Sequence, residues 1–173
     1  MRFLKILKVS RPLLWPVLPF LFILAFSISG GEFSGLVAAQ AASLALPFCI
    51  FLYGINDVFD FASDSRNKRK GGMDGAVVKS SESKEILLWG LFGLAITAIF
   101  SFLTLNFTNI LGFVIMAAFA YFYSASPCRL KTIPPLDSIS NGLIYVLGPM
   151  IMGFSYGGNI LEFPIKLLFV ALA

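Results

Sequence analysis

The chain has 173 residues, of which 58% are apolar and only 13% charged, against the roughly 25% charged content of a soluble domain. That deficit argues against a water-soluble or disordered chain, and two cysteines in or beside apolar runs, with no histidine, argue against a disulfide-stapled domain or a zinc centre. The net charge of +4 comes from basic residues lying between apolar runs, with no separate polar domain to carry them, so no nucleic-acid partner is expected.

Four stretches, 12–31, 33–56, 86–128 and 138–161, contain no Asp, Glu, Lys or Arg. Each reaches the roughly 18 to 20 residues of a membrane-spanning helix, and the third is long enough for two. The predicted fold class is all-α, a polytopic transmembrane helical bundle. At the amino terminus, Arg2, Lys5, Lys8 and Arg11 precede the first apolar run as in a signal peptide. That run exceeds a signal core of roughly 7 to 15 residues and is read as a retained helix. The predicted spans are 12–29, 36–56, 86–105, 110–124 and 140–156, with a partial sixth over 163–173. Pro12 begins the first, whereas Pro16 and Pro19 tilt or kink it. Ser81 or Ser83 is placed to cap the third, with Glu82 and Glu85 in its first turn. Residues 106–109 supply the polar turn between the third and fourth.

With the amino terminus in the cytoplasm, twelve of the thirteen Lys and Arg residues fall on the cytoplasmic side and only Lys166 on the other. This is the distribution of the positive-inside rule, and the expected location is the cell membrane, multi-pass, in contact with membrane lipid. A buried helical core in a large soluble protein gives no reason for such alternation.

Between the second and third spans, the loop "INDVFDFASDSRNKRKGGMDGAVVKSSESKE" concentrates the charge. A plain solvated loop explains charge but not spacing. Asp57, Asp60 and Asp64 are three and four residues apart, which stacks three carboxylates on one helical face. Like charges so placed repel, and near a membrane they are costly unless a cation sits among them. Carboxylates beside an amide, here Asn56, suit Mg²⁺, a hard ion that takes oxygen ligands and is often completed by phosphates. Arg66, Lys68, Arg69 and Lys70 follow and can neutralise a diphosphate. Acid cluster, basic cluster and flanking apolar helices imply a substrate charged at one end and apolar along its length. Gly71, Gly72 and Gly75 form no nucleotide-binding glycine motif.

A second candidate region, "AYFYSASPCRLKTIPPLDSISNG", ends the fourth span. Pro127, Pro134 and Pro135 stop the helix and stiffen the loop, and Arg129 and Lys131 add two cations on the carboxylate side. The competing reading is interfacial anchoring by Tyr121, Tyr123 and Tyr145, with the cations facing anionic lipid. Asp137 and Asn141 are four residues apart and can share a cavity, or Asp137 simply caps the fifth span.

"NDVFD" followed by Asp64 resembles the first aspartate-rich motif, NDxxDxxxD, of the UbiA superfamily of intramembrane prenyltransferases. "DSRNKRKGG" and "YSASPCRLKTIPPLDSISNG" are similar to the branch containing lycopene elongase and related C50 carotenoid enzymes, with Lys68 where that branch has proline. The resemblance implies a UbiA-like fold, and Asn56, Asp57, Asp60 and Asp64 as Mg²⁺ ligands. It further implies Asn56, Arg66, Arg69, Lys70, Arg129 and Lys131 at the diphosphate, and Asn67, Ser124, Asp137 and Asn141 at the cavity. Asp57, Asp60 and Tyr123 take the catalytic roles, Tyr123 shielding an allylic cation through its π face. The implied activity is Mg²⁺-dependent transfer of a prenyl group from an allylic isoprenoid diphosphate, dimethylallyl diphosphate, to an apolar lipid-like acceptor such as lycopene. Family members carry nine helices and a second motif, DxxxD, which is not found here outside the first motif. The chain, 1–173, is therefore expected to be the amino-terminal part of a UbiA-like domain, incomplete at its carboxyl end and inactive in isolation. Competing expectations are a UbiA enzyme with a quinone-precursor, tetrapyrrole or glycerol-lipid acceptor, and a nonenzymatic cation-coupled transporter. The latter calls for ionisable residues near the membrane midplane rather than at its edge.

Overall fold

The computed structural model describes residues 3–61 and 78–164, and every regular element among them is helical. Helix α1 (Phe3–Val9) leads through a 3-10 turn (Pro12–Leu14) into α2 (Val17–Ser29), followed by α3 (Gly35–Leu44) and α4 (Leu46–Phe59). After the undescribed residues 62–77 come α5 (Ser83–Leu103) and α6 (Phe107–Ser124). A last continuous stretch consists of α7 (Leu136–Asn141), a π-helical segment (Gly142–Leu147) and α8 (Gly148–Phe154). Among the described residues, Pro12–Ser29, Gly35–Phe59, Ser80–Leu103 and Phe107–Ser124 are long and apolar enough to cross a membrane. The stretch from α7 to α8 follows the expected fifth span.

Several helix ends differ from expectation, each for a local reason. Pro12 lies in the 3-10 turn and Pro16 at the N-cap of α2. In these positions, as for Pro19 in the first turn, a proline costs no intrahelical bond, so α2 starts cleanly at Val17 rather than kinking. The expected second span is two helices, broken at Ala45 (φ −72°, ψ −106°). Pro47 cannot donate to the Ser43 carbonyl, and the hydroxyl of Thr97 on α5 donates to that oxygen instead, at 3.1 Å. Neither Ser81 nor Ser83 caps α5: the Glu82 carboxylate accepts the Lys79 backbone N–H at 2.9 Å and also pairs with Lys5. Helix α6 starts at Phe107 rather than Ile110 because the Asn106 side chain accepts the N–H groups of Thr108 and Asn109. Asn109, expected in the turn, is consequently a helix residue, and fully buried. Helix α7 starts at Leu136 without a side-chain cap, so Asp137 is not a capping residue.

Helix α4 packs chiefly on α5, α2 on α8, and α6 on α8 and the π-helical segment. The core between them is apolar, with Phe22, Leu44, Phe48, Met116, Ile144 and Met152 all out of solvent. Small residues set the closest crossings. A Cβ on Gly93 would stand 2.1 Å from the Pro47 carbonyl oxygen, and one on Gly153 would stand 2.0 Å from that of Phe22. Phe20, Leu88, Leu91, Phe92, Ile99 and Phe102 face outward, the apolar exterior that lipid requires of a spanning bundle.

The half of the bundle remote from the charged loop holds a buried amide cluster. Gln40 and Asn109 exchange hydrogen bonds (2.7 and 3.2 Å), and Ser101 donates to Asn109 Oδ1 at 2.7 Å. Asn109 Nδ2 also donates to the Met152 carbonyl and to Ser155 Oγ, and the Tyr156 hydroxyl donates to Gln40 Oε1. Four helices and the turn after α8 are thereby tied together, each polar atom of the cluster having a partner.

Candidate active site

The site is built on the last two turns of α4. Tyr53, Asn56, Asp57 and Asp60 stand at positions i, i+3, i+4 and i+7 and therefore share one face. Asp60 ends the helix, its N–H bonded to the Asn56 carbonyl. The Asp57 side chain has no exposed surface, and Asp60 is mostly covered.

Among the described residues, two other parts of the chain bring cations to these carboxylates. From the segment between α1 and α2, Arg11 donates to Asp57 Oδ1 at 3.3 Å, its guanidinium 4.5 Å from the centre of the Tyr53 ring. From the 3-10 turn after α6 (Leu130–Thr132) and the residue before it come Lys131 and Arg129. Arg129 donates to Asp60 Oδ1 at 3.1 Å and Lys131 to Asp60 Oδ2 at 2.5 Å. Lys131 also reaches Asn56 Oδ1 at 3.2 Å and Ser124 Oγ at 3.5 Å, and Ser124 donates to the same Asn56 oxygen at 3.0 Å. Arg11 and Arg129 are two of the three non-glycine residues with positive φ among those described, at 52° and 38°. Such conformations are costly for L residues and persist where surrounding structure enforces them.

Beside the carboxylates lies a cavity of about 220 Å³, lined by Arg11, Leu52, Tyr53, Asn56, Tyr123, Asn141 and Tyr145. The Tyr123 hydroxyl donates to Asp137 Oδ1 at 2.9 Å, and Asn141 Nδ2 points at both, at 3.4 and 3.3 Å. The Tyr145 hydroxyl donates to that of Tyr53 at 3.2 Å. Asp137, Asn141 and Tyr145 follow at four-residue spacing along α7 and the π-helical segment, which turns one ridge of side chains toward α4 and α6. The lipid-anchoring reading thus fails for Tyr123 and Tyr145, whose rings line the cavity; Tyr121 is exposed and keeps it. It fails for Lys131, which is mostly covered and turns to Asp60, while Arg129 pairs with Asp60 but keeps 44% of its side chain exposed.

Asn56, Asp57, Asp60, Tyr123, Ser124, Arg129, Lys131, Asp137 and Asn141 are thus brought together from four parts of the chain. Asp64, Arg66, Asn67, Arg69 and Lys70 lie outside the described residues, and with them the three-carboxylate arrangement. Arg11, Leu52 and Tyr53 carry no site role in the sequence reading, and Tyr145 only an interfacial one. Tyr53 could have been found from its spacing to Asn56 and Asp57, whereas Arg11 carried no signal beyond its topological charge. The donor set on α4 is all oxygen, two carboxylates and an amide within two turns, and it is held by positive side chains. A hard divalent cation fits such a set, with Arg129 and Lys131 free to give way at Asp60.

Residues 13–173 match the UbiA prenyltransferase family. The chain is 36% identical over 160 residues to a lycopene elongase/hydratase of Corynebacterium glutamicum, covering 89% of this chain and 53% of that protein. It is 33% identical over 149 residues to the C(50) beta-cyclic carotenoids biosynthesis protein LbtBC of Dietzia sp., covering 86% of this chain and 34% of that one. The chain thus spans about half the length, or less, of these curated relatives. Among solved structures, it resembles a UbiA homolog from Archaeoglobus fulgidus bound to GPP and Mg²⁺, with a TM-score of 0.78 and 24% identity over 97% of this chain and 60% of that one. The same homolog bound to DMAPP and Mg²⁺ gives a TM-score of 0.77 at 24% identity, over 97% and 59% of the two chains. At that identity the likeness is one of fold.

Proposed function

Because this chain belongs to the UbiA prenyltransferase family, we propose that it serves in Mg²⁺-dependent transfer of a prenyl group from an allylic diphosphate to an apolar acceptor. Dimethylallyl diphosphate is the proposed donor, and lycopene or a related carotenoid the proposed acceptor. The observation that carries this reading is the meeting of Asp57 and Asp60 with Arg11, Arg129 and Lys131 at the mouth of an aromatic-lined cavity. Such a site has charge of both signs for a metal diphosphate and a partly apolar chamber for its hydrocarbon. A fold relative was solved with DMAPP and with GPP, each with Mg²⁺, which supports an allylic diphosphate donor, and the names of the curated relatives support the acceptor.

Asn56, Asp57 and Asp60, joined by Asp64, would hold Mg²⁺, which when bound supplies Lewis-acid neutralisation of the diphosphate. Arg129 and Lys131 turn from Asp60 to the diphosphate oxygens, with Arg66, Arg69 and Lys70 as further donors, and so favour negative charge on the departing group. Tyr123 is fixed by Asp137 and Asn141, so its ring can stabilise positive character at the allylic carbon without reorganising. Tyr53, Leu52 and Tyr145 keep water from that carbon. Residues 1–173 are proposed to form the donor-binding, amino-terminal part of the domain, with the amino terminus in the cytoplasm.

The test is product formation by the full-length protein in lipid nanodiscs. Labelled dimethylallyl diphosphate is offered with a C40 carotenoid, a quinone precursor, a tetrapyrrole or a glycerol lipid. Mg²⁺-dependent labelling of the carotenoid is expected. Labelling of another acceptor instead would reassign the acceptor, and no transfer to any would overturn the reading.

A further inference from the structure

Arg11 is held more firmly than Arg129. Ahead of it, Ile6 and Val9 are buried, Val9 packs with Val78 and Ile86, and Lys5 pairs with Glu82 at the start of α5. The buried Ser10 donates to the Leu7 carbonyl and receives Trp15 Nε1 at 3.1 Å, which ties the chain before Arg11 to the chain after it. Between these anchors the left-handed backbone of Arg11, directly before Pro12, turns its side chain inward. The guanidinium lies over Tyr53 and donates to a carboxylate with no exposed surface. Arg129, by contrast, is 44% exposed and stands on a loop, where it can exchange partners.

A guanidinium fixed in a poorly solvated site is a standing positive charge. It engages an oxygen of Asp57 and repels a divalent cation over the same few ångströms. Diphosphate brings enough negative charge to offset it. We propose that Arg11 is a built-in counter-ion of Asp57, a positioning residue that holds the carboxylate in place and lowers the site's affinity for a divalent cation arriving alone. Metal is then taken up together with the donor diphosphate rather than before it. This rests on the reading of Asp57 as a metal ligand.

The experiment is Mn²⁺ titration, followed by electron paramagnetic resonance, of the full chain in lipid nanodiscs without any donor. Arg11→Gln should bind Mn²⁺ about tenfold more tightly than the parent, as expected when a neighbouring like charge is removed. Arg11→Lys, which keeps the charge, should stay close to the parent. With dimethylallyl diphosphate present the gap between parent and Arg11→Gln should narrow. A residue that served only to support the fold would not raise metal affinity when lost. Unchanged or weaker Mn²⁺ binding by folded Arg11→Gln overturns the counter-ion role. Asp57→Asn separates the two readings: it should lose Mn²⁺, and retention of parental affinity overturns the metal assignment and the inference with it. Should Arg11→Gln fail to fold, Tyr53→Leu decides, since it keeps the charge but removes the ring that fixes it. Several-fold tighter Mn²⁺ binding is expected there, and no change overturns the proposal.

Discussion

At the scale of single residues, the mostly covered Asp60 and the buried Asn109 show two uses of polarity inside the bundle. Asp60 holds Arg129 and Lys131, so under the proposed function its loss should remove a metal ligand and scatter two donors to the diphosphate. Asp60→Asn is expected to abolish most Mg²⁺-dependent turnover of the full-length protein; near-parental kcat would remove it from the metal site. Arg129→Ala should instead raise the donor KM by about tenfold or more with unaltered folding, the effect of losing one charge-assisted contact. An unchanged KM and kcat would leave that residue without a role at the donor. Asn109 does different work, since its amide joins Gln40, Ser101, Met152 and Ser155. Asn109→Leu strands these groups and should cost about 2 kcal/mol or more, by the penalty for buried polar atoms left unpaired. Gln40→Leu made on top of it should cost less than it does alone. Reversible unfolding in mixed micelles reads both, and strict additivity would show that the two amides act independently.

At the scale of elements, the break between α3 and α4 is a joint held from outside. Pro47 leaves the Ser43 carbonyl without its helical donor, and Thr97 supplies one from α5. The same crossing brings Gly93 against the Pro47 carbonyl, so α4 and α5 meet backbone to backbone there, with Gly90 close to Phe51 one turn away. In lipid such close approach is a principal source of helix association, since apolar burial drives little. Gly93→Ala cannot be absorbed by a rotamer change, because the obstructing atom is backbone. It should destabilise the bundle by about 1 to 3 kcal/mol, the range of overpacked cores. Thr97→Val should cost less, about 0.6 kcal/mol, as typical of hydrogen bonds between helices in membranes. The reverse order of the two losses would mean that the hydroxyl, not the close approach, fixes the joint.

For the whole molecule, the proposed orientation puts the carboxylate end of the bundle in the cytoplasm and the Gln40–Asn109 cluster near the opposite face. The native thiols offer a partial readout, because Cys128 is exposed beside the site loop while Cys49 is buried. An impermeant maleimide should label Cys128 only from the cytoplasmic side of oriented vesicles. In a Cys128→Ser background, single cysteines at Ser81 should behave likewise, and those at Ser34 and Asn159 should be labelled from the opposite side. Labelling of all these positions from one face would overturn the orientation.

Fold class, the apolar spans and the grouping of Asn56, Asp57 and Asp60 were legible in the sequence because each depends on local quantities. Run length decides spanning, and helical spacing puts nearby residues on one face. The second cationic region was legible too, as a cluster on the same side of the membrane. The pairing was not: which cation meets which carboxylate depends on how α6, α7 and the segment before α2 pack around α4, and residues 11 and 57 are far apart in the chain. Arg11 looked like one more topological charge because only its packed neighbours and left-handed backbone turn it inward. Gln40 and Asn109 sat in plain view as amides within or beside apolar runs, yet their meaning required the crossing that joins them. Helix breaks followed the same division. The second span was expected unbroken over 36–56; the donor that makes its break at Ala45 tolerable comes from another helix, and only the tertiary structure could place it.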